Sequence, residues 1–210
     1  SILPGSAFEY YSGMGFNRSV NTDPDGSYYA MRSVNSTKYL IIQSYKLEYS
    51  DTVTLLENLK NFEKIDEQDG FTIFKNKAYI PIGYSNSFYI SDDEYEKIAK
   101  SNRDNMLARA VVLTDEQIEK YGDILPELEP DRYSDFNYYT FEKDAQELAK
   151  TAVDTFTPTA NGFKATSSFT EDRFVTFTVP WESGWSATIN GEKAEIEKVN
   201  RGVMGIKVPA

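Results

Sequence analysis

Any chemistry in this chain has to come from carboxylates, amides, hydroxyls and aromatic rings, because its 210 residues include no His and no Cys. Nucleophile–base pairs, zinc sites and thiol chemistry mostly depend on those two residue types, so a triad hydrolase, a zinc enzyme and a redox protein are excluded. The 33 Asp and Glu against 22 Lys and Arg leave a carboxylate-pair glycosidase as a formal alternative. No pair lies in a recognisable motif, however, and so many acids generate chance pairs. The acids instead gather at helix starts. Ser91-Asp92-Asp93-Glu94 offers a hydroxyl to cap a free amide and three carboxylates for the positive end of the dipole. Thr114-Asp115-Glu116-Gln117 is a capping box.

Two further patterns imitate binding sites. Asn21-Thr22-Asp23-Pro24-Asp25-Gly26-Ser27 places oxygen ligands and a glycine as a calcium loop does, but the closing twelfth position is Arg32, so the stretch reads as a polar turn. Asn17-Arg18-Ser19 and Asn35-Ser36-Thr37 match a glycosylation pattern that has meaning only in a eukaryotic secretory route. The rings are more suggestive: 15 Tyr, 13 Phe and 2 Trp, many in pairs such as Tyr10-Tyr11, Tyr28-Tyr29 and Tyr138-Tyr139. In a strand, neighbours point to opposite faces, so each pair is expected to give one core ring and one exposed ring. Trp181, Tyr29 and Tyr28 are the candidate carbohydrate contacts. No catalytic residue, cofactor or metal site is assigned. A net charge of -11 and the lack of a dense basic run make nucleic acid and anionic membrane surfaces poor partners.

The elements expected to carry these residues form an α+β chain: a mixed α/β part over 1–140, then an antiparallel, sandwich-like part over 141–210. Thr37 to Gln43 reads as a buried strand, Val53 to Phe62 as a short helix, Phe71 to Phe74 as a strand after an Asp69-Gly70 turn, and Ala78 to Pro81 as the end of another. From Ser91 a helix with Tyr95, Ile98, Ala99, Asn102, Met106 and Leu107 on one face precedes a strand over 108–113, then a helix ending near Tyr121-Gly122. Leu125 to Asp135, with Pro126 and Pro130, reads as a linker or long surface loop. Beyond Phe141, short alternating segments follow, including Phe174 to Val179, Trp185 to Ile189, Glu192 to Val199 and Val203 to Val208, with Asn190-Gly191 as a type I′ hairpin turn. No stretch approaches the roughly eighteen apolar residues of a membrane span. Ser1 to Gly5 lacks the basic flank and apolar core of a signal peptide.

One motif set is more specific. Pro180-Trp181-Glu182-Ser183-Gly184-Trp185, the Asn190-Gly191 hairpin and Lys198-Val199-Asn200-Arg201-Gly202 running into Val208-Pro209-Ala210 resemble the YfhO family of bacterial polytopic membrane proteins, with Trp181 in place of the more usual tyrosine. Ser33 to Ile41, Phe74 to Tyr84 and Ser91 to Leu113 resemble upstream family segments in the same order.

The resemblance implies a large extracytoplasmic domain attached to the cell membrane through helices outside these residues. Its parent would be a glycosyltransferase that uses a polyprenyl-phosphate sugar, with lipoteichoic and wall teichoic acid among its acceptors. The catalytic carboxylate of that architecture sits in a loop between early membrane helices, which this sequence does not contain. The expected partners are therefore the parent's own membrane helices, with a cell-wall glycopolymer or lipid-linked sugar. The competing class is a free-standing secreted carbohydrate-binding or adhesin-like β module. The resemblance also suggests that Val203 to Ala210 leaves a sheet edge open. Alternation puts Trp185, Ala187 and Ile189 on one face, with Trp185 as a core anchor, Trp181 toward solvent or ligand, and Gly184 at a turn that excludes a side chain.

Overall fold

The computed structural model describes residues 5–16, 29–49 and 59–210. The calcium-like stretch, Tyr28 and most of the helix expected over Val53 to Phe62 lie outside them. Leu59 to Asn61 form a turn, and Phe62 opens a strand rather than closing a helix. The chain is α+β, with its strands in several small, mostly antiparallel sheets.

Helices α1 (Gly5–Gly13) and α2 (Tyr29–Val34) precede β1 (Tyr39–Gln43), α3 (Ser44–Tyr49), β2 (Phe62–Gln68) and β3 (Phe71–Asn76). The three strands form an antiparallel sheet in the order β1-β3-β2. Asp69 (φ 52°) and Gly70 (φ 78°) make the β2–β3 turn, the backbone that a two-residue hairpin with this twist requires. Strand β2 has no apolar alternation and escaped the sequence reading because nearly all of it is exposed. β1, expected to be buried, is an edge strand with Tyr39 and Ile41 exposed. The strand expected to end at Pro81 is absent. Asn76 takes the place of a strand partner, its amide donating to the Thr37 carbonyl (2.9 Å) and Ser33 Oγ (3.1 Å) and its Oδ1 accepting from the Ala78 N–H (2.9 Å). Ala78 and Ile80 are buried without a sheet.

In the middle of the chain β4 (Tyr89–Ser91) runs parallel to β5 (Val111–Leu113), separated by α4 (Asp92–Lys97), a 3₁₀ turn at Lys100–Asn102 and α5 (Arg103–Met106). Ser91 caps α4 as expected. The single long helix predicted from there breaks at Ile98 and Ala99, whose backbones are extended (ψ 133° and 134°). The buried Arg103 side chain occupies the break, donating to the carbonyls of Ile98 (3.0 Å), Glu96 (2.6 Å) and Gly13 (3.3 Å). Helix α6 (Asp115–Tyr121) carries the predicted Thr114/Gln117 capping box. Leu125 to Asp135 is not a free linker. Leu125 and Leu128 are buried, and the Pro126 carbonyl and Leu128 N–H bond to the backbone of Tyr89 at 2.9 and 2.8 Å.

Past that segment comes a helix where strands were expected: α7 (Tyr138–Ala149), capped by Asn137, buries Phe141, Ala145 and Leu148 at helical spacing. Tyr138 and Tyr139 lie on α7, as Tyr10 and Tyr11 lie on α1, so the buried or half-buried and more exposed rings separate by helix geometry rather than strand alternation. Then follow the hairpin β6 (Thr155–Thr159) with β7 (Gly162–Thr166), β8 (Arg173–Pro180), the hairpin β9 (Ala187–Ile189) with β10 (Glu192–Ala194), β11 (Glu197–Val199) and β12 (Val203–Val208). Asn190 (φ 53°) and Gly191 (φ 90°) close the β9–β10 hairpin as predicted.

Strand β12, expected to leave an open edge, is the central strand of the sheet β11-β12-β8. One face of that sheet, with Val175, Phe177, Met204 and Ile206, packs against Phe156, Phe163, Trp181, Trp185 and Ile189 from the hairpins and connections. Trp185, Ala187 and Ile189 are half-buried while Ser186 and Thr188 are exposed, so the predicted alternation holds. Gly184 does not exclude a side chain: it is exposed, with open space where a Cβ would stand. Opposite this layer, Phe174, Val199 and Val203 join Tyr10, Met14, Ile90, Leu113, Phe141 and Leu148 in one core that draws on both halves of the chain.

Two predictions follow from this packing. A Cβ on Gly202 would stand 2.1 Å from the Ser6 carbonyl and 2.8 Å from Tyr10 Cβ. Gly202→Ala must therefore displace α1 and is expected to cost about 2–4 kcal/mol in a denaturation series, whereas Gly184→Ala should stay within about 0.5 kcal/mol. The second concerns Asp104, which is buried, with Oδ1 accepting from the Asn105 backbone (2.8 Å) and side chain (2.9 Å) and Oδ2 without a partner. Burial pushes its carboxyl up to about 6. The folded state then holds a proton that the unfolded chain has released, so this group's contribution falls as pH rises from about 4 to about 6, by roughly 2–3 kcal/mol. Asp104→Asn should lack that fall, which unfolding free energies across the window will read as a difference between the two proteins.

Candidate functional site

The turn joining β11 to β12 is built from Asn200, Arg201 and Gly202. Asn200 and Arg201 both adopt left-handed backbone (φ 49° and 63°), a cost that surrounding contacts must offset for a residue such as Arg. Asn200 is buried and makes a reciprocal pair with Val112 on β5, its Oδ1 accepting from the Val112 N–H (2.8 Å) and its own N–H donating to the Val112 carbonyl (3.2 Å). Gly202 accepts from the Trp181 N–H through its carbonyl (2.9 Å) and lets α1 lie against the turn. The conformation aims the Arg201 side chain at α4.

An open cleft of about 680 Å³ results, walled by α1, α4, the start of α6 and this turn. Arg201 grips Asp92 with a two-point fork, Nε to Oδ1 at 2.6 Å and Nη2 to Oδ2 at 3.0 Å, and its Nη1 pairs with Glu96. Arg103 pairs with the same Glu96 at 3.0 Å. Both guanidinium groups stand over the ring of buried Tyr95, 5.7 Å away for Arg103 and 5.6 Å for Arg201. The hydrogen bonds from Arg201 and then Arg103 hold the Glu96 carboxyl below its usual range, and the bond to Asp92 raises Arg201. Across the cleft Lys198 pairs with Glu9 of α1, and Gln117 donates to the Lys198 carbonyl and to Glu197, both at 3.1 Å.

The arrangement does not favour Glu96 as a proton donor. A general acid needs a carboxyl with a raised pKa, and Glu96 is driven the other way. Ser12, Lys100 and Thr114 stand exposed along the lining, offering hydroxyl and ammonium groups of the kind that meet hydroxyl-rich or phosphate-bearing ligands. Among the described residues no group of three or more acids is placed to hold a metal ion.

The sequence-predicted residues are not brought together. Tyr28 lies outside the described residues. Tyr29 is half-buried, donates through its hydroxyl to Asn105 Oδ1 (2.7 Å) and stacks edge-on against Tyr138 and Phe141. Burial first, and the Asp104 charge second, push its phenol up to about 12. Trp181 is half-buried, with its indole N–H to the Ile196 carbonyl at 3.4 Å and the Lys198 ammonium 5.9 Å from its ring. It therefore backs the cleft through Lys198 without lining it. Sequence reasoning took Asp92 for a cap alone and passed over Arg103 and Arg201. The available signal was an arginine wedged between Asn200 and Gly202 in a hairpin turn.

No helix among the described residues is long and apolar enough to cross a membrane. No curated protein and no solved structure matches the chain. The segment that supplies Lys198, the Asn200–Gly202 turn and the β6–β12 layer does match: residues 131–210 fit the family described as bacterial membrane protein YfhO.

Proposed function

We propose that the chain is an extracytoplasmic, non-catalytic part of a polytopic YfhO-like membrane glycosyltransferase, and that its cleft meets the cell-envelope polymer the parent decorates. The carrying observation is that the segment matched to a membrane-protein family also supplies Lys198 and Arg201 to the cleft. Supporting it, the cleft's carboxylates are committed to guanidinium and ammonium partners, while Ser12, Lys100 and Thr114 face outward. Teichoic acids, with phosphates and hydroxyls along a flexible chain, suit such a surface. The domain's net charge of -11 keeps unaided affinity for an anionic polymer low, so the parent's membrane helices and lipid-linked sugar would hold the polymer in place.

A free-standing sugar-binding module keeps one observation in its favour. Tyr139 is 76% exposed beside Tyr138, ring centroids 4.4 Å apart. It would be found in the medium rather than the membrane fraction.

The absence of Cys makes both parts of the reading testable. Gly184→Cys, at an exposed site with open space, placed in a full-length parent otherwise free of cysteine, is expected to react with a membrane-impermeant maleimide in intact cells. Labelling only after permeabilisation would put the domain on the cytoplasmic side and sink the extracytoplasmic assignment. For the cleft, titrating the chain with glycerol-phosphate oligomers should perturb the amide resonances of Ser12, Lys100, Thr114 and Gln117. Perturbation confined to the Tyr138–Tyr139 face would instead favour the module.

A further inference from the structure

The outer face of the β1-β3-β2 sheet is built as no other exposed surface among the described residues is. Register places Ile41 directly across from Ile73, with Gln43 across from Phe71 and Tyr39 across from Lys75. These residues share the face opposite to Phe74 and Thr72, which are buried. A bulge in β2 between Lys64 and Asp66 sets the extra residue Ile65 beside them. Tyr39, Ile41, Tyr45, Ile65 and Phe71 are between 41% and 62% exposed and, with Tyr139, are the large apolar side chains left in solvent among the described residues. β1 is also an edge strand, and a flat apolar edge in water is a hazard that folded proteins normally cover.

Charge tells what covers it. In a chain of net charge -11, the stretch from Thr37 to Tyr49 carries two lysines, Lys38 and Lys46, against one acid, Glu48. Both lysines are exposed, with the Lys38 ammonium 5.5 Å from the Tyr39 ring and 5.7 Å from that of Tyr79. The acids of this sheet lie on β2, the strand furthest from β1; register sets Glu63 across from Lys75 and Asp66 across from Ile73, so the face is apolar and basic along β1 and acidic along β2. Tyrosine and aliphatic side chains beside lysines form the composition that settles at the boundary between acyl chains and headgroups. A second copy fits less well, since a stable protein interface takes about 20–30 residues a side, more than this strand edge offers. Residues 131–210 fit a family of bacterial membrane proteins, and on the membrane attachment proposed above a weak contact with that bilayer is intramolecular in effect.

We infer that the β1 edge of this sheet rests on the surface of the cell's own bilayer, with Ile41, Tyr39, Tyr45 and Phe71 at the headgroup boundary and Lys38 reaching lipid phosphates. The inference uses the membrane assignment but not the polymer reading, so the two fail separately.

The test is partition of the 210-residue chain onto vesicles of phosphatidylglycerol and phosphatidylcholine, followed by sedimentation and by an environment-sensitive fluorophore on Ile41→Cys. Lipid should shift the fluorophore's emission to the blue, while the same probe on Gly184→Cys stays unchanged. The double variant Ile41→Ser/Phe71→Ser should lose roughly tenfold or more in partition with an unchanged thermal melt, since both side chains already face solvent. Failure to bind at millimolar lipid, or equal binding by the double variant, overturns the inference. So does a probe on Ile41→Cys that is shielded from an aqueous quencher without lipid, because the face would then already be covered by another segment of the chain or by a second copy.

Discussion

The left-handed turn at Asn200, Arg201 and Gly202 is the constraint on which the rest of this molecule depends. From β6 onward the chain forms a layer in which Phe177 and Met204 face Phe163 and Trp185. Beside the shared core and the backbone pair of Tyr84 with Thr176, that layer meets the preceding helices through a three-residue turn that docks by three different means: the Asn200 side chain completes the hydrogen bonding of Val112 on β5, the missing Gly202 side chain admits the backbone of α1, and Arg201 crosses to α4. Each requires its residue type. An amide can satisfy a strand N–H from outside the sheet, only glycine leaves room at 2.1 Å from a carbonyl, and a guanidinium fork matches a carboxylate at two points. The positive φ of Arg201 is tolerated because those contacts over-determine it.

The same turn explains why the cleft is charged yet chemically quiet. Two arginines, Arg103 buried and Arg201 half-buried, enter a space framed by the more exposed Asp92 and Glu96, so the cost of breaking a pair falls on the arginine side, where a stranded charge is less well solvated. Hydrogen bonds from Arg201 and Arg103 hold Glu96 below the usual carboxylate range, and the bond to Asp92 raises Arg201. That suits a surface meeting charged or hydroxylated ligands and opposes proton transfer at neutral pH. Asp104, a few residues away on α5, shows the contrasting case. Without an ionic partner of its own, it is governed by burial, and its proton is held to about pH 6.

Legibility followed the range of the interactions. Local hydrogen bonding was read correctly, as in the Ser91 cap, the Thr114/Gln117 capping box and the Asn190-Gly191 hairpin, because each is decided within four residues. The alternation of Trp185, Ala187 and Ile189 was read for the same reason. What failed was decided at a distance. The helix from Asp92 ends at Lys97 because Arg103 turns back to claim carbonyls, Asn76 substitutes for a missing strand, and β12 is central because Glu197 to Val199 returns to pair with it. Strand β2 was invisible because its exposed residues carry no apolar period. Of the cleft, Asp92 was visible only as a cap, and its arginine partners were not visible as a pair.

This division bears on how the membrane-facing and polymer-facing roles could coexist. The cleft lies where α1, α4 and the Asn200–Gly202 turn converge, in parts whose contacts span nearly the whole chain. The apolar sheet face belongs to an antiparallel unit of β1, β3 and β2, formed between residues 39 and 76. Asn76 ties this unit to the rest through Ser33 and Thr37. A contact at the β1 edge can therefore form without disturbing Asp92, Glu96, Arg103 or Arg201, because the coupling between the two regions runs through side-chain amides and packing rather than a shared charge. A change at Arg201 would be expected to loosen the attachment of the C-terminal layer while leaving β1 as it is. The proposed contact with the bilayer and the proposed contact with polymer therefore fall on separate parts of the chain.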